Sequence, residues 1–303
     1  MLPRVQHAAG GRRGGPVHHH RGGGGIGGDP DARCAHHQAA PGGEVIELLD
    51  VHKRFLHNVV LDGVSLDVKD GETVALLGPS GVGKSVTLKM INGLLRPDSG
   101  DVIVDGLHVP RLKRKELAEL RSKIGYVFQY GALFDSMTVA ENIRLGITDE
   151  TCYNDESYCS NRVLECLRLV NLAADVSDKY PAELSGGMKK RVGIARAIAG
   201  KPTYLLYDEP TSGLDPVNAD VIDGLIERLR DELGVTSVVV SHDVRGSFRV
   251  ADRVALLWQA KIRAVGKAEE ILASKDPAVQ QFLERDLEMA LVQGGGGARG
   301  TDV

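Results

Sequence analysis

The chain has 303 residues, 42% of them hydrophobic, and a formal net charge of −4. That apolar content suffices for a sizeable core in one large domain or two small ones, and the charge excludes a generally basic, nucleic-acid-binding surface. No run of about 18 apolar residues occurs and no secretory h-region opens the chain, so neither a membrane-spanning helix nor a leader is expected.

In chain order, residues 1–43 are rich in Gly, His and Arg around GGPVHHHRGGGGIGG, with almost no large apolar side chain. Such a segment buries too little to offset its ordering entropy and is expected to be a disordered tail or an upstream region translated from a misplaced start. Metal binding by His18, His19 and His20 is the alternative, and the absence of Ser and Thr speaks against a transit peptide. A globular pattern begins at Glu44. VIELLDV and VVLDGVSLDV alternate as strands do, TVALLG is a short apolar strand ending in glycine, and SVTLKMINGLL follows with helical spacing. DVIVDG and KIGYVFQ are strand-like, and residues 138–145 and 159–171 carry helical spacing. TYLLYD is a buried-strand run, VNADVIDGLIERLRDEL an amphipathic helix, TSVVVSH a second buried strand and RVALLWQAKIRAVG a hairpin. Apolar strands alternating with helices predict an α/β fold with a largely parallel sheet. GGGGARGTDV closes the chain as a second loose tail.

There are four cysteines, Cys34, Cys152, Cys159 and Cys166, and none forms a CxxC pair. A chain of this size needs no disulfide framework, which fits a reducing cytosol. Cys152, Cys159 and Cys166 recur every seven residues and would share a face if one helix spanned them. Residues 154–158 look loop-like, and the spacing lacks the close pairs of zinc sites, so buried or incidental thiols are expected.

GPSGVGKS, residues 78–85, matches G-x-x-x-x-G-K-[ST] and stands where that motif must, after an apolar strand and before a helix. Gly78, Pro79, Ser80, Gly81, Val82 and Gly83 form the loop, and Val86 follows in the first helical turn. Glycine lets backbone N–H groups close around phosphate oxygens, the helix N-terminus adds positive potential, Lys84 reaches the outer phosphates and Ser85 ligates Mg²⁺. TYLLYDEP carries Asp208 to the end of an apolar strand, where it can bind the same metal, and Glu209 follows in position to polarise an attacking water. His242 ends TSVVVSH and Gln129 follows KIGYVF, both at strand ends that face a ligand crevice in parallel sheets. His242 is a candidate for contact with the γ-phosphate and Gln129 for contact with magnesium or water. A satisfied edge residue is the alternative for each.

A second anion site is written about a hundred residues later. ELSGGMKKRVGIARA, residues 183–197, puts two glycines between a serine and a basic run, then turns helical. The order P-loop, Gln129, LSGGM, YLLYDEP, SGLD and His242 resembles the nucleotide-binding subunit of an ABC transporter over roughly residues 44–290. That resemblance implies a P-loop ATPase domain at 44–275, with a mostly parallel core sheet, an antiparallel β subdomain and an α-helical signature subdomain at about 130–200. A C-terminal helix at 276–293 and a tail at 294–303 complete the expected organisation. LSGGM stands where the family has LSGGQ. Met188 departs from the glutamine, and Ser185, Gly186 and Gly187 remain. Residues 212–215, SGLD, match the D-loop and place Asp215 at the nucleotide interface; Phe55 sits where the family stacks an aromatic on adenine, with an ordinary core position as the alternative.

The resemblance also explains the two anion sites. Two copies of the chain are expected to pair head to tail, each ATP lying between one P-loop and the other chain's signature helix. The implied cofactors are ATP and Mg²⁺, and the implied catalytic residues are Lys84, Glu209 and His242. Residues 128–143, FQYGALFDSMTVAENI, resemble the stretch that receives a permease's coupling helix, with Leu133, Phe134 and Met137 as its apolar surface. GALF, LSGGM, VVVSHDV and DPAVQQFL are similar to the ATPases of Mla/Mce phospholipid transport systems. Little chain follows His242, so the extra regulatory domain of sugar importers is not expected. The expected partners are an integral membrane permease and a Mce-type lipid-binding protein, with the chain peripheral on the cytoplasmic face of the inner membrane. A soluble ABC ATPase acting on ribosomes or chromosomes, and a degenerate ATP-binding module, are the alternatives; one motif set, a short 129–184 gap and intact Lys84, Asp208, Glu209 and His242 argue against them.

Overall fold

The computed structural model describes residues 44–294. Residues 1–43, with His18, His19 and His20, and the segment after Gly294 lie outside them, so both expected tails do too. In chain order the first elements are β1 (Glu44–Phe55), β2 (Asn58–Lys69), β3 (Thr73–Leu77), α1 (Lys84–Ile91), β4 (Ser99–Val104), β5 (Leu107–His108), α2 (Arg114–Ser122) and β6 (Ile124–Val127). A helical stretch follows: α3 (Val139–Arg144), α4 (Glu150–Tyr153), α5 (Glu156–Leu169) and α6 (Gly186–Ile198). The chain then returns to the sheet with β7 (Tyr204–Asp208), α7 (Pro216–Leu233), β8 (Thr236–Ser241), α8 (Val244–Val250), β9 (Arg253–Trp258) and β10 (Lys261–Gly266), and closes with α9 (Ala268–Leu272) and α10 (Pro277–Gly294).

Two sheets result. The four-stranded sheet runs β2-β1-β4-β5 with every pair antiparallel. The six-stranded sheet runs β10-β9-β3-β8-β7-β6; its neighbours are parallel except for the β9–β10 hairpin at one edge. The α/β class with a mostly parallel core sheet is therefore the observed one. Strands β3, β6, β7 and β8 are buried at every position, as parallel strands covered on both faces must be. The period of two divides β3 between two cores. Val74 and Leu76 join a cluster with Leu48, Val64 and Val102 of the antiparallel sheet, whereas Ala75 and Leu77 join one with Val244, Ile271, Val279 and Phe282 of α8 to α10.

The helical stretch is fastened by buried polar groups. Arg162 of α5 donates to the carbonyls of Ile198 and Ala199 at 2.5 and 2.9 Å, satisfying the C-terminal end of α6. Asn142 of α3, fully buried, donates to the carbonyls of Phe134, Met137 and Thr138 and accepts from the Phe134 N–H at 2.8 Å. Gly146 touches α6 so closely that a Cβ there would lie 1.8 Å from the Arg196 carbonyl oxygen. Backbone cannot yield as a side chain can, so Gly146→Ala is expected to cost at least ~2 kcal/mol. In thermal denaturation ~2 kcal/mol corresponds to a fall in Tm of about 4–8 °C; an unchanged Tm would show that the contact gives way.

Of residues 154–158 only Asn154 and Asp155 are non-helical, a two-residue break between α4 and α5. Asp155 caps α5, its side chain accepting from the Tyr158 N–H at 3.0 Å, so Glu156, Ser157 and Tyr158 are already helical. The polar residues that suggested a loop are a cap. One helix does not span the three cysteines either: Cys152 lies on α4 and Cys159 and Cys166 on α5, and all three are buried. Burial pushes the Cys166 thiol up to about 12. Helices α2, α4, α8 and α9 have no counterpart in the sequence reading, each being too short to complete three turns.

Candidate functional site

The register of the parallel strands brings distant residues to one edge. Leu77 pairs with Ser241, Asp208 with Val240, and Val127 with Tyr207. The residues that follow these strand ends, Gly78, Glu209, His242 and Gln129, therefore emerge at the carboxyl edge of one sheet, where open α/β sheets bind ligands.

The loop after β3 is shaped by backbone that other residues resist. Gly78 has φ 155°, and a Cβ there would lie 2.3 Å from the Leu257 carbonyl oxygen, so the loop passes between strands only as glycine. Gly83 caps α1, and Lys84 is the first residue of that helix. Lys84 is 5% exposed, donates from Nζ to the carbonyls of Gly78 and Pro79 at 2.8 and 3.2 Å, and stands 3.2 Å from Glu209 Oε1. The loop thus carries a cation at its centre, held by groups on both sides. Ser85 donates from Oγ to Asp208 Oδ1 at 2.6 Å.

Asp208 and Glu209 end β7 with different surroundings. Asp208 accepts from Ser85 on one oxygen and from the Tyr126 hydroxyl on the other, at 3.1 Å. Glu209 has φ 50°, a left-handed backbone for a residue with a Cβ, and its carboxylate lies between Lys84 and His242 Nδ1, the latter 2.6 Å from Oε2. Burial acts to raise the Glu209 carboxyl, but the His242 hydrogen bond and the Lys84 charge outweigh it and hold it below its ordinary value. The same hydrogen bond raises His242. The carboxylate's share of the pairing is lost as pH falls through the lowered Glu209 value, and the imidazolium's share as pH rises through the raised His242 value. Between those limits the pair is ionised.

Gln129 donates its amide N–H to Ser212 Oγ at 3.3 Å, and its amide oxygen remains an acceptor. The oxygens of Ser85, Asp208 and Gln129 are hard donors of the kind Mg²⁺ takes, in the small number it takes when substrate phosphates complete the shell. No cluster of three or more His, Cys, Asp or Glu suited to a metal occurs among the described residues.

Tyr126 and Lys190 were not singled out from the sequence as groups that hold this site. Tyr126 lies two residues before Phe128 inside an apolar strand, and only the parallel pairing of β6 with β7 brings its hydroxyl to Asp208. Lys190 belongs to the run Lys189, Lys190, Arg191, expected to add positive charge near an anion. It is buried, and its Nζ donates to the carbonyls of Glu209 and Ser212 at 3.3 and 2.6 Å. Helical spacing was the available signal: Lys190 falls on the face of Gly187 and Ile194, which α6 also buries.

Ser185, Gly186 and Gly187 stand apart from this cluster. Ser185 caps α6, its Oγ accepting from the Met188 N–H at 3.3 Å, and Ser185 and Gly186 are exposed. No hydrogen bond or ion pair among the described residues joins residues 185–187 to residues 78–85. Gly187 abuts Asn218, and Asn218 donates to both oxygens of Asp215, which caps α7. These bonds hold the Asp215 carboxyl below its ordinary value. Signature and D-loop are thus neighbours within one chain.

Ser80, Gly81, Val82 and Val86 complete the loop and first turn. A cavity of about 780 Å³ opens beside them, lined by Gly81 and Val82 and, from the antiparallel sheet, by Arg54, Val59 and Val60. Phe55 is 44% exposed at the end of β1, next to Arg54 and opposite Asn58 in the hairpin, with Lys53 Nζ 5.4 Å from its ring centre. On the helical stretch, Tyr130 and Phe134 are exposed and Leu133 and Met137 half-buried. A smaller cavity of about 300 Å³ opens nearby, lined by Ala140, Arg144, Val163 and Leu164 among others.

Three comparisons bear on these residues. The family model described as "ABC transporter" matches residues 61–212. The chain is 41% identical over 226 residues to the intermembrane phospholipid transport system ATP-binding protein MlaF of Haemophilus influenzae, covering 75% of this chain and 85% of that protein. It is 40% identical over 243 residues to the probable ribonucleotide transport ATP-binding protein mkl of Mycobacterium leprae, covering 80% of this chain and 70% of that protein. Among solved structures it resembles a dimeric ATP-binding cassette in a post-hydrolysis state bound to ADP and Pi, with TM-score 0.67 and 34% identity over 74% of this chain and 98% of that one.

Proposed function

The chain belongs to the ABC transporter family as an ATP-hydrolysing subunit, and from that premise we propose that two copies pair head to tail around two ATP molecules and drive a separate membrane permease for phospholipids. The observation that carries the dimer is the separation of the two anion-binding halves. Lys84, Ser85, Asp208, Glu209 and His242 form one cluster, whereas the helix N-terminus at Ser185 and Gly186 faces solvent with no partner in that cluster. A second copy supplies what each half lacks. The dimeric cassette bound to ADP and Pi supports the same reading.

In that assembly the loop N–H groups and Lys84 hold the outer phosphates of ATP. Ser85, Asp208 and Gln129 hold Mg²⁺, which when bound screens phosphate charge. Tyr126 fixes the second oxygen of Asp208. Glu209 accepts the proton of the water that attacks the γ-phosphorus as the bond to the β,γ-bridging oxygen breaks and ADP leaves, and His242 holds the carboxylate while its exposed side faces the γ-phosphate. Ser185 Oγ already accepts from Met188, so its hydroxyl hydrogen is free to donate to the partner chain's γ-phosphate, beside the N–H groups of Gly186 and Gly187. Asp215 lies next to that contact. Phe55 and the cavity beside Val82 receive the adenine.

The membrane side is proposed from the exposed apolar residues on the helical stretch. No helix among the described residues is long and apolar enough to cross a membrane. Tyr130 and Phe134 stand out from a loop whose backbone Asn142 pins, a rigid surface suited to a helix in a groove. We infer a position on the cytoplasmic face of the inner membrane, bound to a permease and with a Mce-type lipid-binding protein in the same system; the similarity to an intermembrane phospholipid transport ATP-binding protein supports this reading. Transport of another substrate is the second reading, favoured by the similarity to a protein named for ribonucleotide transport. Phe134→Asp places a charge in the groove and is expected to weaken permease association at least about tenfold, with ATP binding unchanged. The check is co-purification from membranes followed by lipid transfer in proteoliposomes. A complex that moves another solute and no phospholipid sinks the lipid reading; association that survives Phe134→Asp sinks the groove.

A further inference from the structure

We propose that Lys190 is a positioning residue for hydrolysis: it ties the signature helix of each chain to the backbone of that chain's own Glu209, so that the pose of one composite site is passed to the other. The inference rests on the dimeric reading above and deepens it.

Glu209 occupies a left-handed backbone conformation that a residue with a Cβ keeps only where its surroundings over-determine it. Its N–H donates to the Val240 carbonyl at 2.9 Å, and its carbonyl accepts from the Ser212 N–H at 3.2 Å. The third restraint is Lys190, whose Nζ donates to the Glu209 carbonyl at 3.3 Å and to the Ser212 carbonyl at 2.6 Å. One ammonium therefore closes the turn from Glu209 to Ser212 from outside. Ser212 Oγ also accepts from the Gln129 amide, so Glu209 and the residue assigned to magnesium hang from the same turn.

The other end of Lys190 is α6. Ser185 caps that helix five residues earlier, about 7 Å along its axis, at the tip that meets the partner chain's nucleotide. A helix moves as a rod, and a displacement at Ser185 is carried to Lys190 and into the Glu209 carbonyl. The amine is buried enough that desolvation lowers it to about 8, so it is no solvated surface charge. Lys189 and Arg191 do not share this place: Arg191 donates instead to the Asn171 carbonyl at 2.8 Å.

The test is Lys190→Met, which keeps the apolar stem and removes the donors, with Lys190→Arg as the variant that restores a cation. In the full chain, Lys190→Met is expected to lower kcat about tenfold or more while the affinity for ATP stays within about twofold. The wild-type rate is expected to rise sigmoidally with ATP and the variant's hyperbolically, and Lys190→Arg is expected to recover part of both. A merely structural lysine would lower Tm and take affinity and kcat down together, with no change in the shape of the curve. That result overturns the inference, as does a folded Lys190→Met with kcat within about twofold of wild type. ATP-driven dimerisation of the Glu209→Gln chain separates the two levels. If that dimer forms and Lys190→Met turns over normally, the Lys190 inference alone falls; if it does not form, the dimeric reading falls first.

Discussion

Glu209→Gln is expected to bind ATP with near-native affinity, lose turnover by about a hundredfold or more, and elute as a dimer when ATP and Mg²⁺ are present. The substitution keeps size and shape but removes the group proposed to take the proton from water. Lys84, the loop N–H groups and the exposed Ser185 are untouched, so both halves of the sandwich remain. Only the step that releases it is blocked. Size-exclusion chromatography alongside a phosphate-release assay reads both consequences. A monomer with unchanged turnover would remove Glu209 from its assigned role. The substitution has a second signature: the Glu209 hydrogen bond is the main cause of the raised His242 value, so His242 should titrate nearer its ordinary value in the variant, as seen by NMR.

A pair of inactive chains should regain activity when mixed. Lys84→Ala removes the buried cation of the loop and is expected to weaken ATP binding by ~2–4 kcal/mol. Ser185→Arg replaces the exposed cap with a bulky side chain and blocks the site in the partner. In the mixed dimer, one composite site carries both defects and the other carries neither. Phosphate release by the mixture, exceeding the sum of the two separate chains, is the expected result. A mixture that stays dead, with the heterodimer demonstrated by affinity tags, counts against composite sites that turn over independently.

The site was legible in the sequence wherever it is written locally. GPSGVGKS between an apolar strand and a helix, and TYLLYDEP at the end of another, need only their own neighbours to be understood. Parallel pairing then explains why Gln129 and His242, far apart in the chain, share an edge. What escaped depends on packing between distant elements. Tyr126 looks like any residue of an apolar strand until β6 lies beside β7. Lys190 sits in a basic run that suggests a solvated face, and only the approach of α6 to the Glu209–Ser212 turn makes it a buried donor. In the fold, β1 to β3 and β7 to β10 were visible through period and punctuation, but α2, α4, α8 and α9 are too short to show a period. The break expected in residues 154–158 is confined to Asn154 and Asp155; Glu156 to Tyr158 misled because Asp is at home in loops and at helix starts alike, and the side-chain bond to the Tyr158 N–H decides between them.

Strand β3 is gripped from both sides, Val74 and Leu76 by one apolar cluster and Ala75 and Leu77 by the other, with β8 and β9 paired along its two edges. Its amides have no local route to solvent, so their deuterium uptake should follow whole-domain opening alone. In a hydrogen-exchange experiment peptides covering residues 73–77 would serve as an internal clock for global stability. Any change that ATP or a permease produces on a faster timescale must then be assigned to the loops and helices that hang from this strand.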